Sequence, residues 1–245
     1  MSLPLTLPYV ILTLKEFMIV WVNQVLYYNE IYPSEIYDKL KSFDIIVYQS
    51  RNPALNKYVE DLVNEFLLIL VNGDGHTNGG KVNQMLLLLY DVKSNKTKKK
   101  YVAKFNEMIN LAPSVNDLNF LHLIDEKDSK SLLEPVIDVP NFTWDEIYSQ
   151  LRSILFSQIE ELKSPNNELE KDDLFFKVIL DLEDSIDLNV NFNSETNSQH
   201  SNWVKLSTTS ADKQKRKTKV VPIGEVSVGF ICIDMYNEYS KRVNA

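Results

Sequence analysis

Between Tyr27 and Val71 the chain reads YYNEIYPSEIYDKLKSFDIIVYQSRNPALNKYVEDLVNEFLLILV, an aromatic helix exit, a proline stop and the capped start of a second helix. Asn52 is a good N-cap, and Pro53 suits the first helical position, where its missing N–H costs nothing. From there Leu55, Tyr58, Val59, Leu62, Phe66, Ile69 and Leu70 recur at helical spacing, with Asn56, Lys57, Glu60, Asp61 and Glu65 on the other face. Upstream, residues 9–32 form a first helix in which Val10, Leu14, Phe17, Trp21, Val25 and Tyr28 mark one stripe and Ile11, Met18 and Val22 widen it. A helix so apolar on most sides belongs inside a core. Pro33 is expected to stop it. The stretch from 34 to 50 is expected to be extended or irregular, with Ile45–Tyr48 as a short edge strand.

The apolar N-terminal run, Leu3–Leu14, has no basic residues ahead of it and no small-residue cleavage pattern after it. Lys15, Glu16 and Asn23 interrupt it short of a membrane span. The expectation is a soluble chain with no membrane partner. The single cysteine, Cys232, allows no internal disulfide and no cysteine-based metal site, which fits a reducing compartment. A net charge of -8 argues against nucleic acid as the main partner, although it leaves room for a local basic patch.

Further along, N-G-D-G-H-T-N-G-G holds four of the six glycines but has neither phosphate-loop spacing, so it reads as a turn. Val82–Val92 and Lys100–Ile109 read as a hairpin with a basic tip, K-S-N-K-T-K-K. Residues 110–141 are weakly patterned. Thr143 and Glu146 then form a capping box, with Phe142 placed to staple onto Ile147, and a helical stripe runs from Ile147 to Leu162 before Ser164 and Pro165 end it. Leu174–Leu182 is a strand, 184–201 a polar loop, Ser201–Leu206 a short strand carrying Trp203, and Val220–Ile223 and Glu225–Tyr236 the last extended segments. Helices and strands segregate along the chain. That predicts an α+β fold, three long helices on a largely antiparallel sheet.

No catalytic set stands out. His76, His122 and His200 fall in a glycine turn, a weakly patterned connection and a polar loop, and no H-E-x-x-H or G-x-S-x-G occurs. The carboxylate neighbours Glu160/Glu161 and Glu183/Asp184 point apart on any regular element. Cys232 sits in an apolar alternating strand, where an inert packed thiol is the default. The run 213–219 holds five cations in seven residues and reads as a solvated loop, an import signal or a phosphate contact.

The order and spacing of L-Y-Y-N-E-I-Y-P, R-N-P-A-L-N-K-Y-V, the hairpin, the capped third helix, S-N-W-V-K and K-V-V-P-I resemble the HORMA family. Within it they are most like the branch serving translesion DNA polymerase zeta. The resemblance implies one HORMA domain, with a core over about 9–183 and a C-terminal safety-belt region over about 184–245. It implies a non-catalytic peptide clamp in the nucleus, without metal or cofactor. The partners it implies are a proline-containing peptide of the polymerase zeta catalytic subunit, a scaffold translesion polymerase, and DNA only through that complex. Matched by motif, Tyr58, Trp203, Val221 and Ile223 are the expected peptide-binding residues. Ile223, Asp234 and Tyr236 are expected to face the scaffold polymerase, and Arg152 to serve HORMA–HORMA self-association. Two alternatives stay open: a spindle-checkpoint-type clamp of the same fold, and a direct DNA-binding protein using Lys96–Lys100 and Lys213–Lys219.

Overall fold

The structure, a computed structural model, describes residues 7–72, 82–93, 96–108, 143–164, 174–182, 218–227 and 231–240. Three helices, α1 (Leu7–Tyr28), α2 (Pro53–Asn72) and α3 (Trp144–Lys163), accompany seven strands. Strands β1 (Tyr37–Ser42) and β2 (Ile45–Ser50) make a separate hairpin. Strands β3 (Val82–Asp91), β4 (Lys96–Met108), β5 (Leu174–Leu182), β6 (Thr218–Ser227) and β7 (Ile231–Ser240) form one antiparallel sheet in the order β5-β3-β4-β7-β6. The expected α+β class, three helices against an antiparallel sheet, holds. Trp203, Phe142 and the runs 110–141, 184–201 and 213–217 lie outside the described residues.

Helix α1 is the centre of the core. Phe17, Met18, Trp21, Val22, Val25 and Leu26 are all fully buried, so α1, although long and apolar enough to cross a membrane, is enclosed by protein here. Its polar residues are absorbed locally. Lys15 Nζ reaches Glu60 on α2 at 3.1 Å, and the Asn23 amide donates to the carbonyl of Ile19 at 2.9 Å. Pro33 does not stop this helix. It ends at Tyr28, where the Glu30 N–H donates to the Tyr27 carbonyl (3.0 Å) and the Ile31 N–H to the Leu26 carbonyl (3.1 Å), with Glu30 at φ +52°. That is a Schellman cap with glutamate at the left-handed position that glycine usually fills.

Residues 34–50 prove more regular than expected. A single 3-10 turn (Ser34–Ile36) leads into the β1–β2 hairpin, whose two-residue turn, Phe43–Asp44, has φ +48° and +55°. Positive φ at both positions is the type I′ geometry that matches strand twist, normally carried by Asn-Gly. Phenylalanine tolerates it because its ring is buried, edge-on to Phe17 at 6.2 Å and stacked on Tyr148 at 5.2 Å. The hairpin is tied to α1 by one side chain. Gln24, with no solvent exposure, donates to the Tyr48 carbonyl (2.9 Å) and accepts from the Tyr48 N–H (3.0 Å), as a neighbouring strand would.

The capped starts follow the sequence. The Asn52 carboxamide oxygen accepts from the Ala54 N–H at 2.9 Å, and the Thr143 hydroxyl accepts from the Glu146 N–H at 3.3 Å. Glu225–Tyr236 is not one strand but parts of two, β6 and β7, because antiparallel pairing from Thr218↔Ser240 to Ser227↔Cys232 folds the segment back on itself. The helix-facing side of the sheet buries Met85, Leu87, Leu89, Tyr101, Ala103, Ile233 and Met235. Cys232 lies on the opposite, outer side, half-buried, donating to Glu225 Oε1 at 3.1 Å, so it is not the packed core thiol that its strand pattern suggested.

Replacing Gln24 by leucine keeps the volume but strips both Tyr48 backbone groups of their partner. A buried unsatisfied backbone group costs about 1–3 kcal/mol. Gln24→Leu is expected to lower the unfolding free energy by an amount in that range, measured by urea denaturation.

Candidate functional site

The two edges of the five-stranded sheet differ. Among the described residues β5 pairs only with β3, so the backbone N–H and C=O groups of its other edge meet no strand. Such a row is a template for an added strand. Beside it stands an aromatic cluster. Tyr58 on α2 is 48% exposed, and its ring lies 5.9 Å from Phe176 of β5, near perpendicular. Tyr32, from the chain just before Pro33, reaches the same Phe176 at 6.4 Å. The Tyr58 hydroxyl pKa is raised, by burial first and by the nearby Tyr32 second. Tyr58 therefore has one face anchored on the sheet and the other turned to solvent at an open strand edge. Asn56 fixes this start of α2, its amide donating to the Ser50 carbonyl at 2.8 Å.

Val221 and Ile223 sit on β6, at the other edge of the same sheet, with β7, β4 and β3 between them and β5. At ~4.8 Å per strand that is roughly 19 Å from the β5 edge. The structure does not bring them together with Tyr58. Val221 is half-buried opposite Asn237, while Ile223 is the extra residue of a bulge between Pro222 and Gly224 and packs against the core. Gly224 is needed there: a Cβ at this position would lie 3.2 Å from Ile154 of α3. Asp234 and Tyr236 alternate on the outer face of β7. The Tyr236 hydroxyl is 3.5 Å from Gln84, whose amide donates to Asp181 at 2.8 Å. Arg152 is exposed on α3, close enough to Asp44 to help hold that carboxylate low, behind the larger effect of Lys41. The expected site residues thus fall on three separate surfaces.

One buried group was not expected. Lys99 of β4 points to the helices with 3% exposure, and its ammonium donates to Asn29 Oδ1 at 2.8 Å. The Tyr101 hydroxyl shares that oxygen at 3.0 Å, and the Tyr239 ring of β7 lies 5.8 Å from the ammonium. Burial pulls the Lys99 pKa down to about 7, with Glu161 of α3 opposing the shift. Burial pushes Tyr239 up. This polar knot joins the end of α1, α3, β4 and the last strand. Its lysine is one of three in the run K-K-K, and only strand alternation singles it out for burial.

Among the described residues no group of His, Cys, Asp or Glu could hold a metal ion. No protein-family model matches the chain. It is 34% identical over 61 residues to the DNA polymerase zeta processivity subunit of Schizosaccharomyces pombe, which covers 25% of this chain and 29% of that protein. It is 42% identical over 48 residues to the rat mitotic spindle assembly checkpoint protein MAD2B, 20% of this chain and 23% of that one. The matched stretches thus span under a third of these curated relatives. Fold likeness extends much further. A chain of the mitotic checkpoint complex superposes with a TM-score of 0.62 at 12% identity, covering 95% of this chain and 99% of that one. The chain has the HORMA fold. A second structure of that fold, C. elegans HTP-2 bound to the HIM-3 closure motif, superposes with a TM-score of 0.57 at 13% identity over 92% and 88% of the two chains.

The buried lysine gives this HORMA chain a pH signature. The unfolded state keeps the Lys99 proton up to about 10.5, whereas the folded state releases it near 7. Between those values the unfolded state binds more protons, so stability rises with pH. Urea midpoints are expected to climb between pH 7 and 10, and Lys99→Met is expected to flatten that climb.

Proposed function

We propose that this chain is the non-catalytic adaptor subunit of a translesion DNA polymerase zeta, acting in the nucleus and brought to DNA through the complex. In this reading a proline-containing peptide of the catalytic subunit adds to the free edge of β5. Main-chain hydrogen bonds supply affinity, and the Tyr58–Phe176–Tyr32 cluster supplies selectivity for proline rings. The observation that carries it is a strand edge left unpaired among the described residues, with a half-exposed tyrosine beside it. The relatedness to the fission yeast processivity subunit supports the choice of complex, and the closure-motif-bound neighbour of the same fold supports a captured peptide.

The belt reading assigns residues 184–245 to the segment that closes over this peptide, with Trp203 as its aromatic contact. Because Val221 and Ile223 sit across the sheet from Tyr58, we assign them, with Asp234 and Tyr236, to the face that meets the scaffold polymerase. Arg152, exposed at mid-helix on α3, is assigned to contact between two HORMA domains. A second reading, a clamp for spindle-checkpoint peptides, is supported by the similarity to rat MAD2B.

The test is a titration of the whole chain with overlapping peptides from the polymerase zeta catalytic subunit and, in parallel, from spindle-checkpoint proteins. A short proline-containing polymerase peptide is expected to bind, and Tyr58→Ala to weaken it at least tenfold. A loss of that size is about 1.4 kcal/mol, ordinary for a central aromatic contact. Capture of checkpoint peptides alone would give the second reading. Binding untouched by Tyr58→Ala would remove the β5 edge from the site.

A further inference from the structure

The outer face of the five-stranded sheet, away from the helices, has an uneven charge distribution that the peptide clamp does not use. The strand register sets its rows. At one end lies Asp181–Gln84–Lys104–Asp234–Glu225, three carboxylates to one lysine. Four residues along β3, beside the β3–β4 turn, the row Lys177–Leu88–Lys100–Glu238–Val220 reverses the balance. One step further, Phe175 and Tyr90 face each other across β5 and β3, with ring centroids 6.3 Å apart and planes tilted by 35°. Phe175 is 53% exposed.

We propose that this end of the outer face is a platform for single-stranded nucleic acid, with the Phe175–Tyr90 pair stacking bases and Lys177 and Lys100 contacting phosphates. Each part follows from placement. Phe175 and Lys177 are two residues apart on an edge strand, hence on one face, and both are exposed. A large aromatic ring left 53% exposed on the solvent face of an edge strand is open to a flat partner. Among the described residues Lys177 has no carboxylate within ion-pair distance, whereas Lys100 is held 3.2 Å from Glu238. Aromatic side chains on a sheet face with flanking cations are the means by which single strands bind, because every base offers a π-face and splayed bases leave their phosphates to the rim. Duplex DNA, whose bases are already stacked, has no use for the aromatic pair.

The acidic overall charge does not cancel this patch. The carboxylate row lies four residues away, ~13 Å at strand spacing, beyond the ~8 Å screening length of physiological salt. It does limit the affinity. With about two phosphate contacts, log K for a single strand is expected to fall with log salt at a slope of roughly −1.4.

Fluorescence anisotropy of the full chain with a labelled 12-mer of thymidylate, between 50 and 200 mM salt, tests the platform. The expected result is salt-dependent binding with that slope, preference for the single strand over the same length of duplex, about tenfold weakening in Phe175→Ala, and a slope shallower by about 0.7 in Lys177→Gln. Both side chains are exposed, so unchanged thermal midpoints confirm that the variants are folded. Absence of binding at 50 mM salt overturns the proposal. Equal affinity for duplex overturns it as well. Binding indifferent to both substitutions transfers any contact to the basic sequence 213–217, and loss of peptide capture with intact oligonucleotide binding makes the aromatic pair part of the clamp; each of these outcomes also overturns it.

Discussion

The enclosure of α1 governs everything placed around it. A helix whose Phe17, Trp21 and Leu26 are all fully buried leaves no stable arrangement in which α2, α3, the sheet and the β1–β2 hairpin do not each cover part of it. Such a helix must dispose of its own polar groups, and α1 does so in two ways. The Thr13 hydroxyl and the Asn23 amide N–H donate to carbonyls one turn back within the helix. Gln24 and Lys15 instead reach outward and fix neighbours, the hairpin through Tyr48 and α2 through Glu60. The core is therefore apolar in bulk but registered by a few polar pins.

The pinning matters for the strand edge where a peptide is proposed to add. Tyr58 is presented by α2, and α2 is held by Glu60 to α1 and by Asn56 and Asn52 to the end of β2. Tyr32 is presented by the short segment that follows the Schellman cap. Both rings converge on Phe176 of β5, so the cluster is assembled by three elements with no sequence proximity. A solvent-facing tyrosine braced from beneath loses little freedom when a partner covers it, which makes it a better anchor than a free surface ring.

The helices were legible because their signals are local: Asn52-Pro53 and Thr143-x-x-Glu146 state where a helix starts, and the 3.6-residue stripes state which face is buried. Of the β1–β2 hairpin, the strand at Ile45–Tyr48 was legible, but its partner β1 and the turn between them were not. Its turn is Phe-Asp rather than Asn-Gly, and the left-handed backbone at Phe43 is sustained by contacts with Phe17 and Tyr148, 26 residues before and 105 after it. The end of α1 was misplaced for a similar reason, since a Schellman cap with glutamate has no compositional mark. The split of 225–236 into two strands was missed because the apolar sequence runs on without interruption between the end of β6 at Ser227 and the start of β7 at Ile231. Of the site, Tyr58 could be singled out, but its partners Phe176 and Tyr32 depend on strand order, and no periodicity places Val221 on the far edge.

The strand order also carries a kinetic meaning. Strands β3 and β4 meet through a turn of a few residues, whereas β4 meets β7 at pairs such as Phe105↔Ile233, across roughly 130 residues of chain. Closing the longer loop costs about 3 kcal/mol more entropy than closing the shorter one. The pairing of β4 with β7 thus carries the larger entropic cost, and in a chain built in this order the last hairpin is expected to join the sheet after the local β3–β4 pairing has formed.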